Sequence, residues 1–203
     1  MGDILRPIFE DLYILIVDKP SGVPSQPTRH QQPNVYDEAC ARFPYVGLHH
    51  RLDTPASGLL MMTLHRDANA PIATAFRNHE IHRSYQAVLL GDPGTKGEWE
   101  GAIDGRPAKT HWNRIAAAGG LSLVELTLAT GRKHQIRRHA QQAGHPIIGD
   151  RRYGGAAGGN WPRLALHAAR LAFTHPISGH PVQYESPIPE DLLALVDRVK
   201  VHE

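Results

Sequence analysis

A lone carboxylate stands where positive charge is dense. In LHHRLDTPASGLLMM, residues 48–62, Asp53 follows His49, His50 and Arg51 and precedes Thr54-Pro55 and an apolar run. Arg51 and the histidines favour the ionised form of Asp53. Taken alone, the arrangement fits a surface ion pair or a capped turn better than a reaction centre. A second concentration lies in GRKHQIRRHAQQAGHPIIGDRR, residues 131–152, with six Arg or Lys, three His and one acid, Asp150. That density suits phosphate contact. Within it His134 and Arg137, three apart, project from one side of a helix, and an arginine there could reach a buried carboxylate. Ile136, Ala140 and Ala143 mark an apolar stripe on another side. Local evidence alone favours a solvated basic face.

Other chemistries fit poorly. Fourteen histidines invite a metal, but their spacings do not. His49 and His50 are adjacent and would face opposite sides of a strand. His134 and His139 are five apart, a poor match to one helical face. The stretch HEIH, residues 79–82, lacks the H-E-x-x-H spacing. A single cysteine, Cys40, excludes a cysteine-rich zinc site and any intrachain disulfide. GGAAGG is not followed by Lys-Ser or Lys-Thr, and no G-x-G-x-x-G follows a strand, so no nucleotide cofactor is expected.

These residues must be positioned by a modest frame. The chain has 203 residues, 41% hydrophobic and 21% charged, a soluble globular composition large enough to bury a core. Net charge is +2, yet 17 of the 22 basic residues are Arg, a bias that suits phosphate and base recognition as well as an arginine-rich genome. The N-terminal apolar run is too short to span a bilayer and has acids where a signal peptide needs bases, so a cytoplasmic protein is expected.

Strands are expected over Leu12–Val17, Gly58–Leu64, and IHRSYQAVLLGD. Two more flank Gly119-Gly120 as an antiparallel pair. Strands are also expected in LALHAARLAFTHP and HPVQYESP. Helices are expected over Tyr36–Arg42, from Asp67 with Pro71 near the first turn, from about Arg132 with Thr130 as N-cap and Gly144 as stop, and at the C-terminal PEDLLALVDRVKVHE. RYGGAAGGNWP reads as a flexible loop. Short turns and few helices predict an α+β fold, one domain over residues 1–203 with a central, mainly antiparallel mixed sheet flanked by helices and loops.

In order along the chain, the motifs resemble the RluA family of RNA pseudouridine synthases. HHRLDTPASGLL is similar to the family's H-R-L-D-x-x-x-S-G-L/V motif. TGRKHQIRRHAQQAGHPIIGDRRYG is similar to its T-G-R-x-H-Q-I/L-R…G-H-P-I-x-G-D…Y stretch. ILIVDKPSGV, RSYQAVLLG, PAKTHW and LHAARLAFTHP resemble its remaining signatures, so the likeness runs from about residue 12 to 187.

The resemblance implies conversion of uridine in tRNA or rRNA stem-loops to pseudouridine, by a monomer, without cofactor or metal. It places Asp53 at the catalytic aspartate, Tyr85 at the active-site tyrosine under the base, and Arg137 at the arginine that pairs with the aspartate. Arg51 stands at the arginine that flips the nucleotide, and His50, Arg132, His134 and Gln135 are expected among the RNA-binding and flipping residues. Flipping is needed because the target base is unreachable while stacked. No S4-type RNA-binding domain is expected. The departure DTPAS after the catalytic position leaves open how Thr54-Pro55 shapes that loop. Two other readings remain, a catalytically silent RNA-binding module on the same fold and a His-dependent metallohydrolase, the second opposed by the spacings.

Overall fold

The computed structural model describes residues 4–155, 158 and 161–200. Part of the expected loop RYGGAAGGNWP, and the last three residues of the expected terminal helix, lie outside them. The chain forms two compact units, Met1–Arg83 with Ala168–Ser186, and Ser84–His167 with Pro187–Glu203.

The first unit is built on β1 (Pro7–Glu10), β2 (Ile14–Lys19), β3 (Gly47–Leu48), β4 (Ser57–Thr63), most of β9 (Leu166–Thr174), and β10 (Pro181–Glu185). Antiparallel pairs join β1 to β2, β2 to β4, β3 to β4, and β9 to β10. Residues of β2 and β4 alternate between two apolar layers. Leu15, Val17, Leu60 and Met62 pack with Val35 and Ala39 of helix α1 (Val35–Arg42). Ile14, Ile16, Leu59 and Met61 pack with Ile72 of α2 (Arg66–Arg77) on the other side. A strand covered on both faces reads as a continuous apolar run, which is why β2 and β4 show no alternation of polar and apolar residues. Each such side chain contributes roughly 1.5–3 kcal/mol on burial.

Local signals set the ends. Asn34 caps α1, its side chain accepting from Asp37 N at 2.9 Å. Helix α2 starts one residue before the expected Asp67, and Pro71 lies inside it on the exposed side. β1 was not expected. Its sequence PIFE is short and mostly exposed, so it carries no apolar alternation to read.

The second unit contains most of β5 (His82–Leu90), and β6 (Lys96–Ile103), β7 (Arg106–Ala118) and β8 (Leu121–Leu128) in spatial order β5-β8-β7-β6, each pair antiparallel. Two helices, α3 (Gln135–Gln142) and α4 (Glu190–Lys200), pack against its strands, α3 on β6 and β7, and α4 on β7 and β8. The hairpin expected at Gly119-Gly120 joins β7 to β8. The α+β class and the mainly antiparallel pairing agree with expectation.

Candidate active site

Asp53 sits on a loop between β3 and β4 whose backbone is pinned residue by residue. Ser25 Oγ donates to Leu52 O at 3.0 Å and accepts from Leu52 N at 3.0 Å. The Asp53 carbonyl accepts from Ala56 N at 3.0 Å. The Thr54 carbonyl accepts from Gly22 N at 2.8 Å and from Lys19 Nζ at 3.2 Å. Ser21 Oγ donates to the Pro55 carbonyl at 2.8 Å. Four successive carbonyls, Leu52 to Pro55, are thus held, most of them by the turn that follows β2.

Lys19 is the unusual member of this strapping. It is fully buried, 0% exposed, and its ammonium also donates to the carbonyls of Pro20 and Val23 at 2.8 and 2.7 Å. Carbonyl oxygens here replace the water a buried charge would lose. The KPSG turn is therefore the floor of the Asp53 loop. Pro55 presents its carbonyl to Ser21, which answers how Thr54-Pro55 shapes the loop. It docks on that turn.

Gly58 closes the far end of the loop. Its φ is +109°, and an added Cβ would lie 2.3 Å from the Ala168 carbonyl oxygen in β9, so no larger residue fits. Arg51 is exposed and Asp53 partly buried. His50 turns inward: its Nε2 accepts from Met61 N at 2.9 Å and its ring lies against Phe76. Burial first, then the charges of Arg83 and His49, push its pKa down to about 3. His49 also has a lowered pKa, chiefly from burial. Its Nε2 lies 3.1 Å from Thr63 Oγ1 and 3.2 Å from Asn69 Oδ1.

The remaining expected residues lie in the second unit. Tyr85, in β5, is buried at 7% exposure and stands opposite Leu126 of β8. Arg137 is buried in α3, not on a solvated face. Its Nε and Nη2 donate to Asp150 Oδ2 and Oδ1, both at 2.8 Å. The Tyr153 ring centroid is 5.0 Å from its guanidinium carbon. His134 Nδ1 is 2.9 Å from the Tyr153 hydroxyl, so His134 and Arg137 both contact Tyr153, although His134 stands before the helix and helical spacing is not what brings it there.

Asp150 organises this corner. Its Oδ1 also accepts from Arg152 N and Tyr153 N, both at 3.0 Å. Burial works to raise its pKa, but the bonds from Arg137, Tyr153 and Arg152 outweigh it and hold the carboxyl below its ordinary value. The preceding Gly149 has φ +75°, and a Cβ there would meet the Arg163 carbonyl oxygen at 1.9 Å. In the sequence Asp150 is only the one acid of a basic segment, and spacing alone does not mark it as the partner of Arg137. The signal that could have found it is the G-D…Y end of the same motif.

Gln135 has a different job from the expected RNA contact. It is 3% exposed, and both ends of its amide are occupied. Its oxygen accepts from Thr130 Oγ1 at 2.7 Å and from Arg132 N at 2.9 Å, while its nitrogen donates to Lys109 O at 2.9 Å and Thr110 Oγ1 at 3.0 Å. This corrects the helix start. Thr130 does not cap α3; it bonds the Gln135 side chain, and the helix begins at Gln135 after His134 in a left-handed conformation, φ 55°. Arg132, half-buried, donates from Nε to Pro107 O at 3.2 Å. Among the described residues no three His, Cys, Asp or Glu side chains cluster as metal ligands would.

Residues 13–142 match the model of the RNA pseudouridylate synthase family. The chain belongs to that family, in agreement with the RluA likeness of its motifs, and is a pseudouridine synthase. It is 33% identical to the ribosomal large subunit pseudouridine synthase D of Zymomonas mobilis, over 94% of this chain and 71% of that protein. It is 31% identical to the synthase of the same name from Nitrosomonas europaea, over 97% of this chain and 65% of that protein. The fold is similar to that of human RNA pseudouridylate synthase domain containing 4, with a TM-score of 0.80 at 19% identity, covering 96% of this chain and 93% of that one.

Proposed function

We propose that this chain isomerises a uridine in ribosomal RNA, with Asp53 as the reacting carboxylate, Arg51 as the flipping residue, Tyr85 beneath the base, and Arg137 as the partner of Asp53. The observation that carries the reading is the Asp53 loop. A half-buried carboxylate on a backbone held at four successive carbonyls is the preorganisation a covalent step requires. The rRNA substrate is favoured by the names of the relatives, with tRNA the other RNA to test.

The reaction breaks the C1′–N1 bond, turns the ring and joins C1′ to C5; the C5 proton then leaves and the freed N1 takes one up. A carboxylate serves this either as nucleophile at C1′ or by withdrawing a sugar proton. No electron is gained or lost, so no redox cofactor is called for, and this reading takes the chain as a monomer acting without a metal. A guanidinium has five donors, of which the Asp150 fork uses two. An arginine fixed in that way can keep a second carboxylate ionised. Arg132 and His134, at the start of α3, are the further RNA contacts in this reading.

The test is tritium release from rRNA and tRNA transcripts carrying C5-tritiated uridine. Wild type should release tritium, and Asp53→Asn should lower the rate on the order of 10³-fold or more while still binding RNA. An unchanged rate in Asp53→Asn would remove Asp53 from the chemistry.

A further inference from the structure

β3 follows the edge of β4 only as far as Leu48, with Gly47 opposite Thr63 and Leu48 opposite Met62. Continued, that register would bring His49 opposite Met61. The backbone leaves instead, and the Met61 N–H is taken by His50 Nε2 at 2.9 Å. An imidazole nitrogen stands where a strand carbonyl would have been. Because Nε2 accepts, the one ring proton is on Nδ1. The ring also lies on Phe76, centroids 5.1 Å apart, and Phe76 carries the Arg83 guanidinium at 5.4 Å. A protonated ring would lose its acceptor nitrogen and face a cation.

Two residues beyond His50, both backbone groups of Leu52 are held by Ser25. Arg51 therefore lies between two anchors, with its own side chain exposed.

We propose that His50 is an uncharged positioning residue of the pseudouridine synthase reaction, fixing the backbone of Arg51 and Asp53 through Met61 rather than touching RNA. The proposal rests on the reading of Asp53 as the reacting carboxylate. His50→Phe keeps the ring on Phe76 and removes the acceptor. His50→Gln restores an acceptor at similar reach through its amide oxygen.

On the RNA transcript that wild type modifies, His50→Phe should lower kcat about 100-fold, with RNA affinity within about twofold, and His50→Gln should return to within about fivefold of wild type. Nitrogen-15 spectra of the wild-type chain should show His50 neutral and protonated on Nδ1 from pH 7 down to 5. A wild-type kcat in His50→Phe would overturn the proposal. So would weakened RNA binding at unchanged kcat, or a ring that titrates near 6. If His50→Phe does not fold, His50→Gln and the tautomer decide. If wild type modifies no rRNA or tRNA transcript, the reading of those RNAs as the substrate fails by itself, and the spectra still report whether His50 is a neutral anchor.

Discussion

Arg137 and Asp150 show how much rests on one pair of side chains. Both are buried, and the carboxylate takes two guanidinium bonds and two backbone bonds. Removing Asp150 takes the buried carboxylate from two guanidinium N–H groups and two backbone N–H groups, at a cost of about 3–5 kcal/mol. Asp150→Ala should lose stability of that order in urea titration. Asp150→Asn is more informative. Its oxygen can keep the bonds at Oδ1, but its NH₂ then meets the Arg137 Nε–H, donor against donor. The guanidinium must turn, so kcat should fall by about tenfold or more even where most of the stability is kept. Comparison of kcat with the urea midpoint checks this, and parallel losses in the two would count against a positioning role. The sequence named Arg137 but not Asp150, because a bidentate fork is a property of two side-chain directions that spacing does not specify.

The Asp53 loop takes its shape from an element that carries none of the chemistry. The end of β2 and the turn after it supply Lys19, Ser21, Gly22 and Ser25, and each bonds the segment Leu52–Pro55. Ser25→Ala leaves the N–H and the carbonyl of Leu52 without their partner. It should cost about 1–3 kcal/mol and lower kcat more than RNA affinity, measured on the same transcript. An activity loss confined to KM would mean that the turn shapes RNA binding instead. The elements themselves were largely legible. β2 and β4 read as apolar runs because two helices cover their faces, and the β7–β8 hairpin is written in its glycines. The start of α3 was not, because Gln135 bonds the backbone three residues before it in place of an ordinary cap. β1 was not, because an exposed edge strand has no buried face to pattern. Nor did the sequence separate His50, which faces inward, from Arg51, which faces out, since neighbouring residues of one motif differ only in the direction the backbone gives them.

At the scale of the whole molecule these sites set how the protein meets acid. Groups with depressed pKa values bind protons more readily unfolded than folded, so stability is full above the unfolded pKa and falls as pH drops toward the folded one. For His50 the window runs from about 6.5 down to about 3. Its contribution to the loss is about 2 kcal/mol by pH 5. His49 in the same unit, and His139 in the other, add to the slope in the same direction, each depressed chiefly by burial. Asp150 acts later, because a carboxylate held below its ordinary value loses its contribution only below about pH 4. Acid sensitivity should therefore begin above the carboxylate range. Urea unfolding followed by circular dichroism between pH 7 and 4.5 should show stability already falling by pH 5.5. His50→Gln, which keeps the Met61 bond but cannot be protonated, should flatten that slope and leave the loss below pH 4 in place. An identical slope in His50→Gln would mean that His50 is hydrated enough to charge without cost, and the acid response would then belong to His49 and His139.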